Sequence, residues 1–146
     1  MILISACLCG IDCKYNGLNN LDENIAGLVK KGLAIPFCPE QLGGLPTPRL
    51  PSEIVEGTGG DVLDGLAKVI NKEGEDVTEN FIRGAQQSLK LANMYGIKTA
   101  ILKSKSPSCG YGEIYDGSFR RILIKGNGVT ASLFDRNSIK VLTEKY

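Results

Sequence analysis

The sequence predicts an α/β protein, a single Rossmann-like domain spanning residues 1–146 with a mainly parallel sheet flanked by helices. Two observations carry that expectation. Apolar runs of strand length alternate with longer segments of helical period, the pattern of βαβ units. Three of the apolar runs also break into loops that carry a cysteine: Cys7 after Met1-Ile2-Leu3-Ile4-Ser5-Ala6, Cys38 after Leu33-Ala34-Ile35-Pro36-Phe37, and Cys109 a few residues after Thr99-Ala100-Ile101-Leu102. If these strands are parallel neighbours, their C-terminal ends share one edge, where open α/β sheets place their ligands.

The elements follow in order. After the first strand and its Cys/Gly loop, residues 21–31 carry Leu21, Ile25, Leu28 and Val29 at helical spacing, and Gly32 stands as a stop. A second strand covers 33–37. Residues 38–51 are rich in proline and glycine and read as a long irregular loop, a feature that in a small domain is usually functional. Glu53–Glu56 and Ala67–Ile70 read as strands of an antiparallel excursion around a Gly-rich linker. Thr78 to Tyr95 is the clearest helix, with Thr78 as N-cap, an apolar stripe of Phe81, Ile82, Ala85, Leu89 and Ala92, and Gly96 as the left-handed stop. Strand 99–102 feeds a loop over 103–112. Gly126-Asn127-Gly128 then turns into a short helix ending near Asn137, and Ile139–Leu142 makes a last strand.

Composition narrows the functions available. The chain has 17 Lys+Arg against 16 Asp+Glu and no basic run longer than a pair, so long nucleic acid is not an expected partner. No apolar stretch approaches the roughly 20 residues that cross a bilayer, so no membrane association is expected. The first strand begins without a charged leader, and a cytoplasmic location is expected. In that reducing compartment, 5 cysteines in Gly/Pro loops suggest metal or redox chemistry more than disulfides. With 0 histidines, a metal must be held by sulfur or carboxylate, and protons must move through Glu, Asp, Lys, Tyr or Ser.

Three segments could carry chemistry. Cys7-Leu8-Cys9-Gly10-Ile11-Asp12-Cys13 is dense in thiols but matches neither the four-cysteine ferredoxin run nor paired C-x-x-C zinc knuckles. These cysteines can also be read as small buried hydrophobes near a strand end. Cys9 is the one expected to point away, because it alternates with Cys7. In Cys38-Pro39-Glu40 the proline keeps Cys38 out of the helical region and sets a carboxylate within reach of whatever Cys38 holds. Read blandly, Glu40 is a solvated loop residue. Lys103 through Gly110 surrounds Cys109 with Ser104, Ser106, Ser108 and two lysines, a polar cradle suited to a thiolate or an anion.

Ser5-Ala6-Cys7-Leu8 with Gly10, Tyr15 and Gly17, then Cys38-Pro39-Glu40 through Gly43-Gly44-Leu45-Pro46-Thr47-Pro48-Arg49, and finally Ser106-Pro107-Ser108-Cys109-Gly110 resemble, collinearly, the thiouracil desulfidase family. The resemblance also takes in Gly60-Asp61-Val62-Leu63-Asp64-Gly65, Asp76-Val77-Thr78 and Gly128-Val129-Thr130-Ala131. It implies a 4Fe-4S cluster held by Cys7, Cys38 and Cys109, with one iron left open to a thiocarbonyl sulfur. It further implies acid/base catalysis by Glu40 and a catalytic Ser106. The reaction implied is non-redox removal of sulfur as hydrosulfide from a thiolated pyrimidine base or nucleotide. Separately from the resemblance, a monomer or homodimer is expected. The sequence departs from the family at Lys14, Asn16 and Cys9, and Cys13 adds a thiol that could ligate or close the cluster. Two other classes stay open at this point. One is a zinc-binding structural or interaction domain using Cys7, Cys13, Cys38 and Cys109; the other is a cluster-bearing sulfur carrier or redox sensor.

Overall fold

The computed structural model describes residues 1–145. In chain order it contains β1 (Ile2–Ser5), a 3-10 turn (Ala6–Cys9), α1 (Glu23–Lys30), β2 (Ala34–Phe37), α2 (Pro39–Leu42), β3 (Ser52–Val55), α3 (Gly59–Leu63), β4 (Lys68–Asn71), α4 (Thr78–Met94), β5 (Thr99–Leu102), β6 (Glu113–Tyr115), β7 (Leu123–Lys125), α5 (Val129–Arg136) and β8 (Lys140–Thr143). The main sheet has 4 strands in the order β2-β1-β5-β8, and every pairing in it is parallel. β3-β4 and β6-β7 are separate antiparallel pairs.

Side chains alternate across a strand, so one apolar run covers two faces. Leu3 packs with Phe37, Leu102, Phe134 and Val141 beneath α4 and α5, while Ile4 packs with Ile25, Ala34 and Ile101 beneath α1. Phe37 and Phe134 stack with ring centroids 6.0 Å apart. A third cluster, built around Ile54, Val69, Phe81 and Ile114, joins the antiparallel excursion to α4. Because β1, β2 and β5 run parallel, their C-terminal ends bring the loops after Ser5, Phe37 and Leu102 to one edge.

Several expectations need correcting. Residues 38–51 are not helix-free: Pro39 supplies a preset φ in the first turn of α2, and Cys38 is its extended N-cap. The Gly-rich linker holds α3, closed by a capping box between Thr58 and Asp61. Thr78 does not cap α4 with its side chain. Its Oγ1 accepts from the Val69 amide at 2.9 Å, and the Asp76 carboxylate takes the Thr78 amide at 2.9 Å. The β6-β7 hairpin was not expected, because its strands are 3 residues each and too short for a visible alternation. The stops at Gly32 and Gly96 are in place, with φ of +72° and +63°.

Candidate functional site

A cavity of about 490 Å³ opens at the C-terminal edge of the main sheet. Cys7, Cys38, Cys109, Glu40 and Ser106 all line it, as does Cys13. Cys9 does not. Residues 6–9 turn as a 3-10 helix, so Cys9 leaves the site because the chain coils and not because a strand alternates.

Each wall is built differently. Cys7 sits in the 3-10 turn, and its carbonyl accepts the Asn20 amide at 2.9 Å, which folds residues 10–20 back over β1. Cys38 is placed by the crossing of α2 and α4, where two glycines allow backbone contact. A Cβ on Gly84 would stand 2.1 Å from the Pro39 carbonyl oxygen, and one on Gly43 would stand 2.0 Å from that of Asn80. The Asn80 side-chain amide donates to the Gly43 carbonyl at 2.9 Å and locks the crossing.

Cys109 is held by the start of α5. The Gly128, Val129 and Thr130 amides donate to the carbonyls of Gly110, Pro107 and Ser108 at 2.7, 2.8 and 2.9 Å. Helix-start N–H groups that otherwise lack partners thus bind the cysteine loop itself. Ser108 and Thr130 hydroxyls pair at 2.8 Å beneath it.

Glu40 is not a free loop carboxylate. Its Oε2 accepts from Arg49 Nε at 2.7 Å, and the two side chains are 16% and 7% exposed. The same guanidinium donates to the Thr47 hydroxyl at 3.0 Å and to the Cys13 carbonyl at 2.8 Å, tying the 38–51 segment to the first cysteine loop. Arg49 was quoted in the sequence only as part of a motif; nothing local marks it as the partner of Glu40, since the two meet by a turn of the proline loop. Ser106 Oγ accepts the Ser108 and Cys109 amides at 3.1 and 3.0 Å. With those acceptor sites occupied, its O–H is left to donate into the cavity.

The thiols are electrostatically unequal. Cys38 Sγ donates to the Cys13 carbonyl at 3.9 Å, and the neighbouring Cys13 thiol brings both Cys7 and Cys38 down to about 7 against the opposing effect of burial. Cys13 itself is pushed up, first by Cys38 and then by Cys7, so it keeps its proton. Cys109 is also pushed up, chiefly by burial, and the Ser5 hydroxyl recovers only part of the cost. The loop around Cys109 turns its carbonyls toward α5 and buries the sulfur. Beyond the thiols, the cavity is lined by Lys14, Tyr15, Glu53, Lys72, Lys105, Tyr115, Phe119 and Arg121. Of these, sequence reasoning had marked only Lys14, Tyr15 and Lys105.

The donor set tests what the site can hold. Soft thiolates with no histidine suit iron-sulfur chemistry, and two of the thiols ionise near neutrality. Among the described residues no three Cys, Asp or Glu side chains stand close enough to share one metal ion. Thiols spread around a cavity fit a multi-atom cluster better than a single tetrahedral zinc.

A parallel sheet with thiols collected at its C-terminal edge defines a class of cysteine-lined α/β proteins built to hold a cluster. Within that class, the chain belongs to the 2-thiouracil desulfurase family, whose model matches residues 2–146. It is 49% identical over 144 residues to the uncharacterized protein YbbK of Bacillus subtilis (strain 168), covering 99% of this chain and 95% of that one. It is also similar to the solved structure of the 4Fe-4S-dependent thiouracil desulfidase TudS, with a TM-score of 0.86 and 40% identity over 98% of this chain and 89% of that one. No helix among the described residues is long and apolar enough to cross a membrane.

Proposed function

We propose that residues 1–146 act as one desulfidase domain that carries a 4Fe-4S cluster and removes sulfur hydrolytically from a thiolated pyrimidine. The observation that carries this reading is the meeting of Cys7, Cys38 and Cys109 with Glu40 and Ser106 in one cavity, in a chain of this family. Cys7, Cys38 and Cys109 hold the cluster. When bound, it supplies Lewis acidity toward a soft thiocarbonyl sulfur.

The chain's own groups do the rest. Glu40, oriented by Arg49, takes a proton from the attacking water and returns one to the ring nitrogen; Ser106 donates its O–H to the substrate or relays that proton. Water supplies the carbonyl oxygen, and the sulfur leaves as hydrosulfide. No electrons are transferred overall, so no redox partner is required. A sulfur carrier or redox sensor has no use for a carboxylate held in this position.

Charge narrows the substrate. Lys14, Lys72, Lys105 and Arg121 line the cavity, and none forms an ion pair among the described residues. Glu40 is taken by Arg49, and Glu53 by two backbone amides. The surplus positive charge favours a phosphate-bearing thiopyrimidine nucleotide over the neutral base.

The test is hydrosulfide release by anaerobically purified, cluster-loaded protein from 4-thiouracil and from its nucleoside monophosphate. Both should turn over, the nucleotide with the lower KM. Glu40→Gln should keep its iron and lose roughly 10²-fold in turnover. Ser substitutions of Cys7, Cys38 or Cys109 should each lose the cluster. Full iron content in Cys38→Ser, or near-normal turnover in Glu40→Gln, overturns the assignment.

A further inference from the structure

The hairpin loop between β6 and β7, residues 116–122, carries an unusual concentration of backbone strain at the cavity. Phe119 and Arg121 both adopt φ of +60°, a conformation that bulky side chains rarely accept. Both residues line the cavity, together with Tyr115 at the base of the loop. Strain of this kind persists only where surrounding structure imposes it, and here the source is visible. Glu53 on β3, a residue only 9% exposed, accepts the Gly117 amide at 2.9 Å and the Phe119 amide at 3.2 Å through its carboxylate. Gly117 sits so close to β3 that a Cβ would stand 2.6 Å from the Ile54 carbonyl oxygen. The loop is thus clamped from a different sheet, at a distance in sequence of more than 60 residues.

We infer that the 116–122 loop is the substrate clamp of this site, with Phe119 as the face on which the pyrimidine ring stacks and Glu53 as the positioning residue that sets Phe119 and Arg121 over the cavity. An aromatic face tolerates any pyrimidine and contributes to affinity without discriminating sulfur from oxygen, so the clamp holds product as well as substrate. Nothing in the thiol chemistry needs this loop, and an unstrained hairpin would close the same strands. The inference rests on the reading of the cavity as a thiopyrimidine site, and it is tested with a ligand that carries no sulfur.

The loop contains its own probe, because trypsin cleaves after Arg120 and Arg121. Cluster-loaded protein is digested under argon with and without uridine 5′-monophosphate, and fragments are identified by mass. The nucleotide should slow cleavage at Arg120 and Arg121 several-fold while leaving cleavage after Lys31, in the exposed turn that follows α1, unchanged. Phe119→Leu should raise KM for the thiolated nucleotide about tenfold, the scale of one lost base-stacking contact, with a much smaller change in kcat. Glu53→Ala should raise KM similarly and speed cleavage at Arg120 and Arg121 several-fold over wild type, whereas Glu53→Gln, which keeps an acceptor oxygen, should restore both to wild-type values. Unaltered cleavage with the nucleotide present, or an unaltered KM in Phe119→Leu, overturns the clamp. Absence of hydrosulfide release from wild-type protein instead overturns the desulfidase reading, and the protection experiment still decides the clamp.

Discussion

The walls carrying Cys38 and Cys109 both rest on close backbone contacts that only glycine permits, at Gly43 and Gly84 on one and at Gly110 and Gly128 on the other, but they differ in what else holds them. The Cys109 loop is held by main-chain hydrogen bonds from the start of α5, with no ion pair in the contact. The Cys38 wall is held by two glycines that let α2 touch α4 and by one arginine that gathers Glu40, Thr47 and the Cys13 carbonyl. Main-chain hydrogen bonds survive replacement of the non-glycine side chains around them, whereas a wall gathered by one guanidinium does not survive loss of that group. Glu40, the carboxylate we propose as the acid/base group, thus stands on the wall that depends on a single side chain.

The largest effect should come from filling the α2-α4 crossing. Gly84→Val puts carbon where the Pro39 carbonyl already sits, and since that neighbour is backbone it cannot turn aside. Destabilisation of about 3 kcal/mol, the upper end of overpacking costs, should appear in urea unfolding together with loss of iron. A variant of normal stability and iron content would show that α2 is not anchored there.

Arg49→Lys sharpens the comparison on the same wall. Lysine keeps the charge but cannot serve Glu40, Thr47 and Cys13 together, because it lacks the planar fork. A loss of about 2 kcal/mol is expected, given that these bonds involve buried charge, with turnover falling more than iron content. Thr130→Val on the other wall, which removes only the Ser108 hydroxyl contact, should cost about 1 kcal/mol and spare turnover. If the two variants behave alike in turnover, the walls do not differ as described.

The smallest effect concerns the start of the Cys109 loop. Glu144, just beyond β8, receives the Ser104 amide at 2.7 Å and the Lys103 ammonium at 3.2 Å. Burial works to raise its pKa, but the Ser104 amide and the Lys103 charge outweigh it and hold the carboxyl below its usual 4.5. A depressed carboxylate adds stability that is fully present above about pH 4.5 and is lost as pH falls through the lower folded value. Glu144→Gln should therefore be less stable than wild type by about 1 kcal/mol at pH 7, and the gap in urea midpoints should close as pH drops from 5 toward 3. A gap that persists at pH 3 would mean the carboxylate charge contributes nothing.

How much of this was legible in the chain depends on how local each signal is. The strands at 33–37 and 99–102 and the helix from Thr78 could be read because period and flanking glycine act within one element. The placement of Cys7, Cys38 and Cys109 at one edge followed from those strands and from parallel pairing. α2 and α3 were hidden because each is a single turn, which no periodicity can reveal. The β6-β7 hairpin, with Phe119 and Arg121 at its tip, was hidden for the same reason.

By itself the sequence determined the chemistry available to this protein: sulfur and carboxylate without imidazole, delivered to strand ends, in an order shared with a desulfidase family. Only the tertiary structure decided which groups meet. Cys13 enters the cavity and Cys9 leaves it because residues 6–9 coil instead of extending. Glu40 acquires Arg49, and Phe119 acquires Glu53, across stretches of chain that share no local pattern. The physical reason is that period and capping are written within a few residues, whereas the approach of two backbones at Gly84 and Pro39, or of a carboxylate to amides on another sheet, depends on how whole elements pack.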